Sequence, residues 1–136
     1  MTGGRIVFFL FLTHGLGNSS QTLLEIRDLK SSYPAGGPVA FALISSSEKP
    51  LFYGVGVEQR TEAGWREIVP NIEAVTYSPA YQYHRLAPHG TRHLVWNVKV
   101  SVPGIPVTSG VYRFFIAFEK PKGEFARAYS QTFSLR

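Results

Sequence analysis

The chain has 136 residues and a mass of 15.1 kDa, enough for one compact domain and too little for a second. Hydrophobic residues at 44% against 17% charged exclude a disordered chain, and the lack of cysteine excludes disulfides, thiolate catalysis and cysteine-ligated zinc. The formal charge of +5 raises nonspecific attraction to anionic surfaces, but Lys and Arg form no run of three, so no specific nucleic-acid partner is expected.

The first element is the apolar run Ile6–Leu12, preceded by Arg5 and followed by the small residues Gly15 and Gly17. That order reads as a secretory signal over residues 1–17, cleaved after Gly17, which places residues 18–136 outside the cell or in the periplasm. The run is far below the roughly 20 residues of a membrane-spanning helix, so no transmembrane span is expected. The other reading makes it a buried N-terminal strand of a cytoplasmic protein.

From residue 22 onward the apolar residues alternate with a period of two, in segments separated by Gly, Pro and Ser clusters. Thr22–Asp28 is the first such strand. Val39–Ser45 is apolar on both faces, and Phe52–Arg60 sets Tyr53, Val55 and Val57 on one side. Thr61–Gly64 reads as a hairpin loop into Trp65–Val69. Residues 70–90 carry three prolines and read as a long connection with one short strand. Thr91–Val102 puts Leu94, Trp96, Val98 and Val100 on one face, Val111–Glu119 does the same with Tyr112, Phe114, Ile116 and Phe118, and a last strand alternates from Tyr129 to Leu135. About seven to nine short strands with such spacing predict an all-β, immunoglobulin-like Greek-key sandwich over residues 18–136, and Tyr112 after Gly110 has the character of a tyrosine corner.

Tyr33-Pro34-Ala35-Gly36, Leu51-Phe52-Tyr53-Gly54, Gly64-Trp65-Arg66-Glu67-Ile68, Leu86-Ala87-Pro88-His89-Gly90 and Gly110-Val111-Tyr112-Arg113 follow one another in an order that resembles the bacterial immunoglobulin-like domains of secreted proteins and of membrane sensor and peptidase proteins. The layout is more distantly similar to intracellular proteinase-inhibitor sandwiches. Either resemblance implies a noncatalytic interaction domain with no active-site residues to carry over. The first implies a protein or glycan partner at the cell envelope, and the second implies a loop such as Pro103–Ser109 inserted in a protease cleft.

Catalytic, cofactor and metal sites are not expected. His84, His89 and His93 have spacings of five and four, but Arg85 and Arg92 share their segment and oppose a cation. Asp28 is the sole aspartate, and no Gly-x-Ser-x-Gly elbow accompanies it. Glu58, Glu67, Glu73, Glu119 and Glu124 read as a solvated face rather than as paired catalytic carboxylates. Gly54-Val55-Gly56 lacks the third glycine of a dinucleotide loop and reads instead as making room for a tryptophan or a bulge. Packing is the expected role of Trp65 and Trp96. The candidate partner-binding residues are Tyr77, Tyr81, Tyr83, His84 and Arg85, where aromatic and basic side chains interleave, and an exposed sheet edge offers a second route of association.

Overall fold

Alternation along Gly110–Glu119 sends Tyr112, Phe114, Ile116 and Phe118 to one side, and all four are buried at the centre of the molecule. The structure, a computed structural model, describes residues 7–9, 11–12, 23–73, 83–98, 107–119 and 125–136. Its strands in chain order are β1 (Val7–Phe9), β2 (Phe11–Leu12), β3 (Leu24–Arg27), β4 (Ser32–Tyr33), β5 (Val39–Ser45), β6 (Leu51–Thr61), β7 (Gly64–Val69), β8 (His84–Leu86), β9 (Thr91–Trp96), β10 (Gly110–Glu119), β11 (Phe125–Tyr129) and β12 (Phe133–Leu135). No helix occurs among the described residues.

The strands form two sheets. The smaller runs β1-β3-β5-β9, antiparallel throughout. The larger is built about β10 and β6, which pair from Tyr112 with Gln59 to Glu119 with Phe52. The other edge of β10 is shared by β11 and β12, while the second edge of β6 carries β7 at one end and β8 at the other. Beyond them, β2 lies beside β11, and β4 runs parallel to β12. Both sheets turn their apolar faces to one core, in which Leu24, Ile26, Phe41 and Trp96 from the smaller meet Tyr53, Val55, Phe114 and Phe133 from the larger. The fold is therefore a β-sandwich.

The core is aromatic at its centre. The Phe114 ring lies 4.4 Å from Phe41, 5.0 Å from Phe133 and 6.1 Å from Trp96 between ring centroids. Such pairs add about 0.5–1.5 kcal/mol each beyond the area they bury. Tyr112 packs its ring against Trp96 and Phe133, and its hydroxyl donates to the Thr108 carbonyl at 2.5 Å while accepting from Gln59 Nε2 at 3.1 Å. This is the tyrosine-corner arrangement, pinning the loop before β10 to the strand. Tyr112→Phe should lower stability by about 1–2 kcal/mol, because two partners lose a largely buried hydroxyl. A urea midpoint equal to that of the parent would show that the corner contributes nothing.

Three local differences from the alternation pattern have physical causes. Asp28 adopts a left-handed φ of 67°, which aspartate tolerates, and this ends β3 at Arg27. The last alternating segment is two strands. Ser130 accepts from the Phe114 amide with its hydroxyl and donates its own amide to the Phe114 carbonyl, and there the chain steps from β11 to β12. Gly56 makes room for Phe115 rather than for a tryptophan, since an added Cβ would stand 2.1 Å from the ring, and the sheet's bulge falls next to it at Val57/Glu58.

Candidate binding face

The outer face of the larger sheet follows from its register. Directly opposed residues share a face, so the pairs Arg85 with Phe52, Phe52 with Glu119 and Glu119 with Phe125 place these four in one row across β8, β6, β10 and β11. Phe52 is 43% exposed and Phe125 60%. Tyr83, two residues before Arg85 and on the same side, is 40% exposed. Its ring reaches to 5.8 Å from that of Phe125, although β6 and β10 separate β8 from β11. The adjoining row holds Gly54 and Ala117, whose small side chains leave space for that approach. Three of the four large hydrophobic residues exposed among the described residues thus stand together, and all three are aromatic.

Beyond this row the same face is stiffened by arginines laid on rings. The Arg113 guanidinium sits 3.8 Å from the Tyr129 ring centroid and 4.3 Å from that of Trp65, and the Arg127 guanidinium covers Phe115 at 4.1 Å. Arg113 Nε donates to Glu58 Oε1 at 2.7 Å, while Arg127 reaches Glu58 at 3.6 Å and Glu67 at 3.7 Å. Glu58 is consequently buried. The expectation of a solvated Glu58 is corrected: β10 supplies a stacked cation above it, which a carboxylate needs in order to leave water. Trp65 likewise packs outside the common core, on Arg113. Each cation–π contact contributes about 0.5–2 kcal/mol, according to how far it is desolvated.

A second polar group lies at the rim, facing inward. Glu73, in the connection after β7, accepts from Arg92 Nε at 3.1 Å and from its terminal nitrogen at 2.8 Å, joining the larger sheet's connection to β9 of the smaller sheet. The connection is tied to β6 as well, by the Ile72 amide donating to the Val55 carbonyl at 2.8 Å. His84 Nε2 stands 3.6 Å from Glu73 Oε2, and the Tyr53 hydroxyl lies beside the same carboxylate. All three atoms are buried away from solvent, with the His84–Glu73 separation beyond ordinary hydrogen-bond length. Arg92 is held more firmly protonated by its bonds to Glu73.

Burial holds the Tyr53 phenol neutral well above its ordinary range, and the Glu73 charge opposes ionisation further; Tyr33 shifts the same way, chiefly through burial. Both folded values lie above the ordinary 10.0, so the fold retains protons that the unfolded chain releases. Their contribution is complete below pH 10 and declines as pH rises past it, at up to about 1.4 kcal/mol per pH unit for each phenol. Urea midpoints between about pH 9 and 11.5 should fall accordingly, and Tyr53→Phe should flatten the decline. An unchanged slope in that variant would remove Tyr53 as its source.

The candidate residues from the sequence divide by strand parity. Tyr83 and Arg85 lie on the outer face, while His84, between them, turns inward to Tyr53 and Glu73. Tyr77 and Tyr81 lie outside the described residues. His84 sits on a strand rather than in irregular chain, and a carboxylate does reach it, brought by Glu73 from a separate segment. His89 instead stands 3.2 Å from Glu48, and His93 is exposed on β9. Of the loop Pro103–Ser109, residues 107–109 are described: Val107 packs against the core and Thr108 anchors Tyr112. Among the described strands β9 has an unpaired outer edge, and Val95 on it is 53% exposed. Sequence reasoning missed Phe52, Phe125 and Glu119. The one signal for the two phenylalanines was an aromatic residue at the outward position of an otherwise alternating strand, and Glu119 had none beyond its outward parity.

No protein-family model and no curated protein matches the chain. Among solved structures, the alkylpurine DNA glycosylase AlkC of Pseudomonas fluorescens, bound to DNA containing an abasic site analogue, is 16% identical with a TM-score of 0.46, over 88% of this chain and 32% of that one. The soluble domain of PmoD from Methylocystis sp. is 13% identical with a TM-score of 0.44, over 100% of this chain and 95% of that one. The chain thus spans about a third of the glycosylase's length.

Proposed function

We propose that the chain is a noncatalytic binding domain of the immunoglobulin-like, Greek-key type, acting at the cell envelope on a protein or glycan and exported through the signal at residues 1–17, whose cleavage would take away the edge strands β1 and β2 and leave β3 to β12 as the sandwich. The observation that carries this reading is the exposed aromatic row of Phe52, Tyr83 and Phe125 on the outer face of a sheet, flanked by Arg85 and Glu119. Large exposed aromatics held on strands lose little freedom when covered, and a contiguous apolar patch in a charged surround marks an interaction site. The bonds between half-buried Glu73 and exposed Arg92 join the two sheets, which supports a structural use of that pair.

The test is a photo-crosslinking residue placed at Phe125 and, as a control, at Glu62 in the exposed β6–β7 turn, in cells of the native host. Crosslinked product is expected at 125 and not at 62. Equal yields at the two positions would defeat the assignment of the face. Intact mass in the same fractions tests export: loss of the first 17 residues outside the cytoplasm is expected, whereas a full-length cytosolic species would bring the proteinase-inhibitor reading forward, to be decided by stoichiometric inhibition across a protease panel. Strand addition at β9 is a second route, favoured by an outer edge that is unpaired among the described strands and by exposed Val95.

A further inference from the structure

Resting on that reading of the outer face, we infer that its occupant is a polysaccharide chain laid across the strands from Phe52 to Phe125. Three features select a sugar polymer over a protein surface. The exposed apolar residues on this face are aromatic, without an accompanying exposed Leu, Ile or Met among the described residues. An aromatic ring offers its negative face to the weakly positive C–H bonds on one side of a pyranose, so a strip of exposed rings without aliphatic neighbours suits the faces of sugar rings.

The second feature is spacing. Phe52 and Phe125 are separated by one strand, and neighbouring strands lie about 4.8 Å apart, so their backbones are about 9.5 Å apart on a single line across the sheet. That is about the length of a disaccharide, which lets two rings of the protein meet alternate rings of one glycan. Tyr83, 5.8 Å from Phe125, extends the strip beside them.

The third feature is charge. Between and beside the two phenylalanines the row carries one carboxylate, Glu119, and one guanidinium, Arg85. Their charges cancel, and together they supply an acceptor and a set of donors at the height of the ring edges. A neutral chain of hydroxyls complements such a row, since each hydroxyl both donates and accepts; a nucleic acid or an acidic peptide would meet Glu119 unfavourably. The face is also held rigid by the Arg113 and Arg127 stacks and by Glu58.

The experiment is co-sedimentation of the full chain with three insoluble probes: cellulose, chitin and purified peptidoglycan sacculi. The parent protein should pellet with at least one, which identifies the source. Phe52→Ala with Phe125→Ala should weaken that binding about tenfold or more, as loss of two stacking surfaces implies. Both residues are exposed, so the urea midpoint of the double variant should match the parent. Val95→Ala, on the other sheet, should bind as the parent does. The proposal is overturned if the parent pellets with none of the three, or if the double variant pellets equally well. Crosslinking at Phe125 separates the two levels: a protein captured there without polysaccharide binding ends the glycan assignment and leaves the binding-domain reading standing, while failure of both ends both.

Discussion

Phe114→Ala is expected to lower the stability of the domain by about 3–5 kcal/mol, the largest effect of any single truncation considered for this core. The ring is fully buried and meets Phe41, Phe133 and Trp96, so its removal strips contacts from both sheets at once. Relaxation is poor there: the neighbouring rings are themselves fixed by β5, β9 and β12, and the cavity stays open. Since domains of this kind have about 5–15 kcal/mol in all, the variant should melt lower by ten degrees or more, or fail to accumulate. Phe114→Leu, which keeps most of the volume, should cost about 1–1.5 kcal/mol and gives a measurable urea midpoint if the alanine variant does not fold. Phe125→Ala removes the same side chain from an exposed position and should change stability by less than about 0.5 kcal/mol. Similar losses at 114 and 125 would contradict the assignment of inner and outer faces.

Gly56→Val is expected to cost about 3 kcal/mol, against the direction that strand propensity alone would give. A Cβ on residue 56 would stand 2.1 and 2.2 Å from two ring carbons of Phe115 and 2.5 Å from the Val69 carbonyl oxygen. Neither neighbour can yield cheaply. Phe115 is capped on its far side by Arg127, and the Val69 oxygen belongs to the backbone of β7 beside the bulge. Valine favours strands by up to about 1 kcal/mol, which is smaller than the overpacking it causes here. The decisive measurement is a partial rescue: Gly56→Ala should be clearly destabilising in the parent and cost distinctly less when Phe115→Ala is already present, because the ring is then gone while the 2.5 Å approach to the Val69 oxygen remains. Additive losses in the double variant would show that the ring does not rest on the glycine.

Much of the fold was legible from alternation, because a strand buried on one side must repeat every second residue. Val39–Ser45 matches its strand from end to end, and Tyr53, Trp96 and Tyr112 face the core as their parity demands. What alternation leaves open is the partner across the ladder. Phe115 occupies an outward position in β10 and is nevertheless fully buried, since the opposite residue is glycine and an arginine from β11 closes over it. Glu58 is buried for a similar reason, its cation arriving from a residue 55 positions away. For the candidate site, the segment containing Tyr83 and Arg85 stood out as aromatic and basic, but parity on β8 separates His84 from them. Phe52 and Phe125 come from distant strands and become neighbours in a row only through β10. No local pattern encodes that meeting.

The position of β12 has a consequence for the chain before it is folded at all. This strand lies between β10 and β4, it buries Phe133 and Leu135, and the Arg136 amide donates to the Tyr33 carbonyl at 3.0 Å. Pairing Ser32 with Ser134 closes a loop over most of the chain, and topologies with such distant partners fold in milliseconds to seconds rather than microseconds. During synthesis the larger sheet lacks this strand until residues 133–135 have left the ribosome. Until then β10 and β4 have no strand between them and the Tyr33 carbonyl has no Arg136 amide to accept from, so the larger sheet closes only as the last of these residues docks.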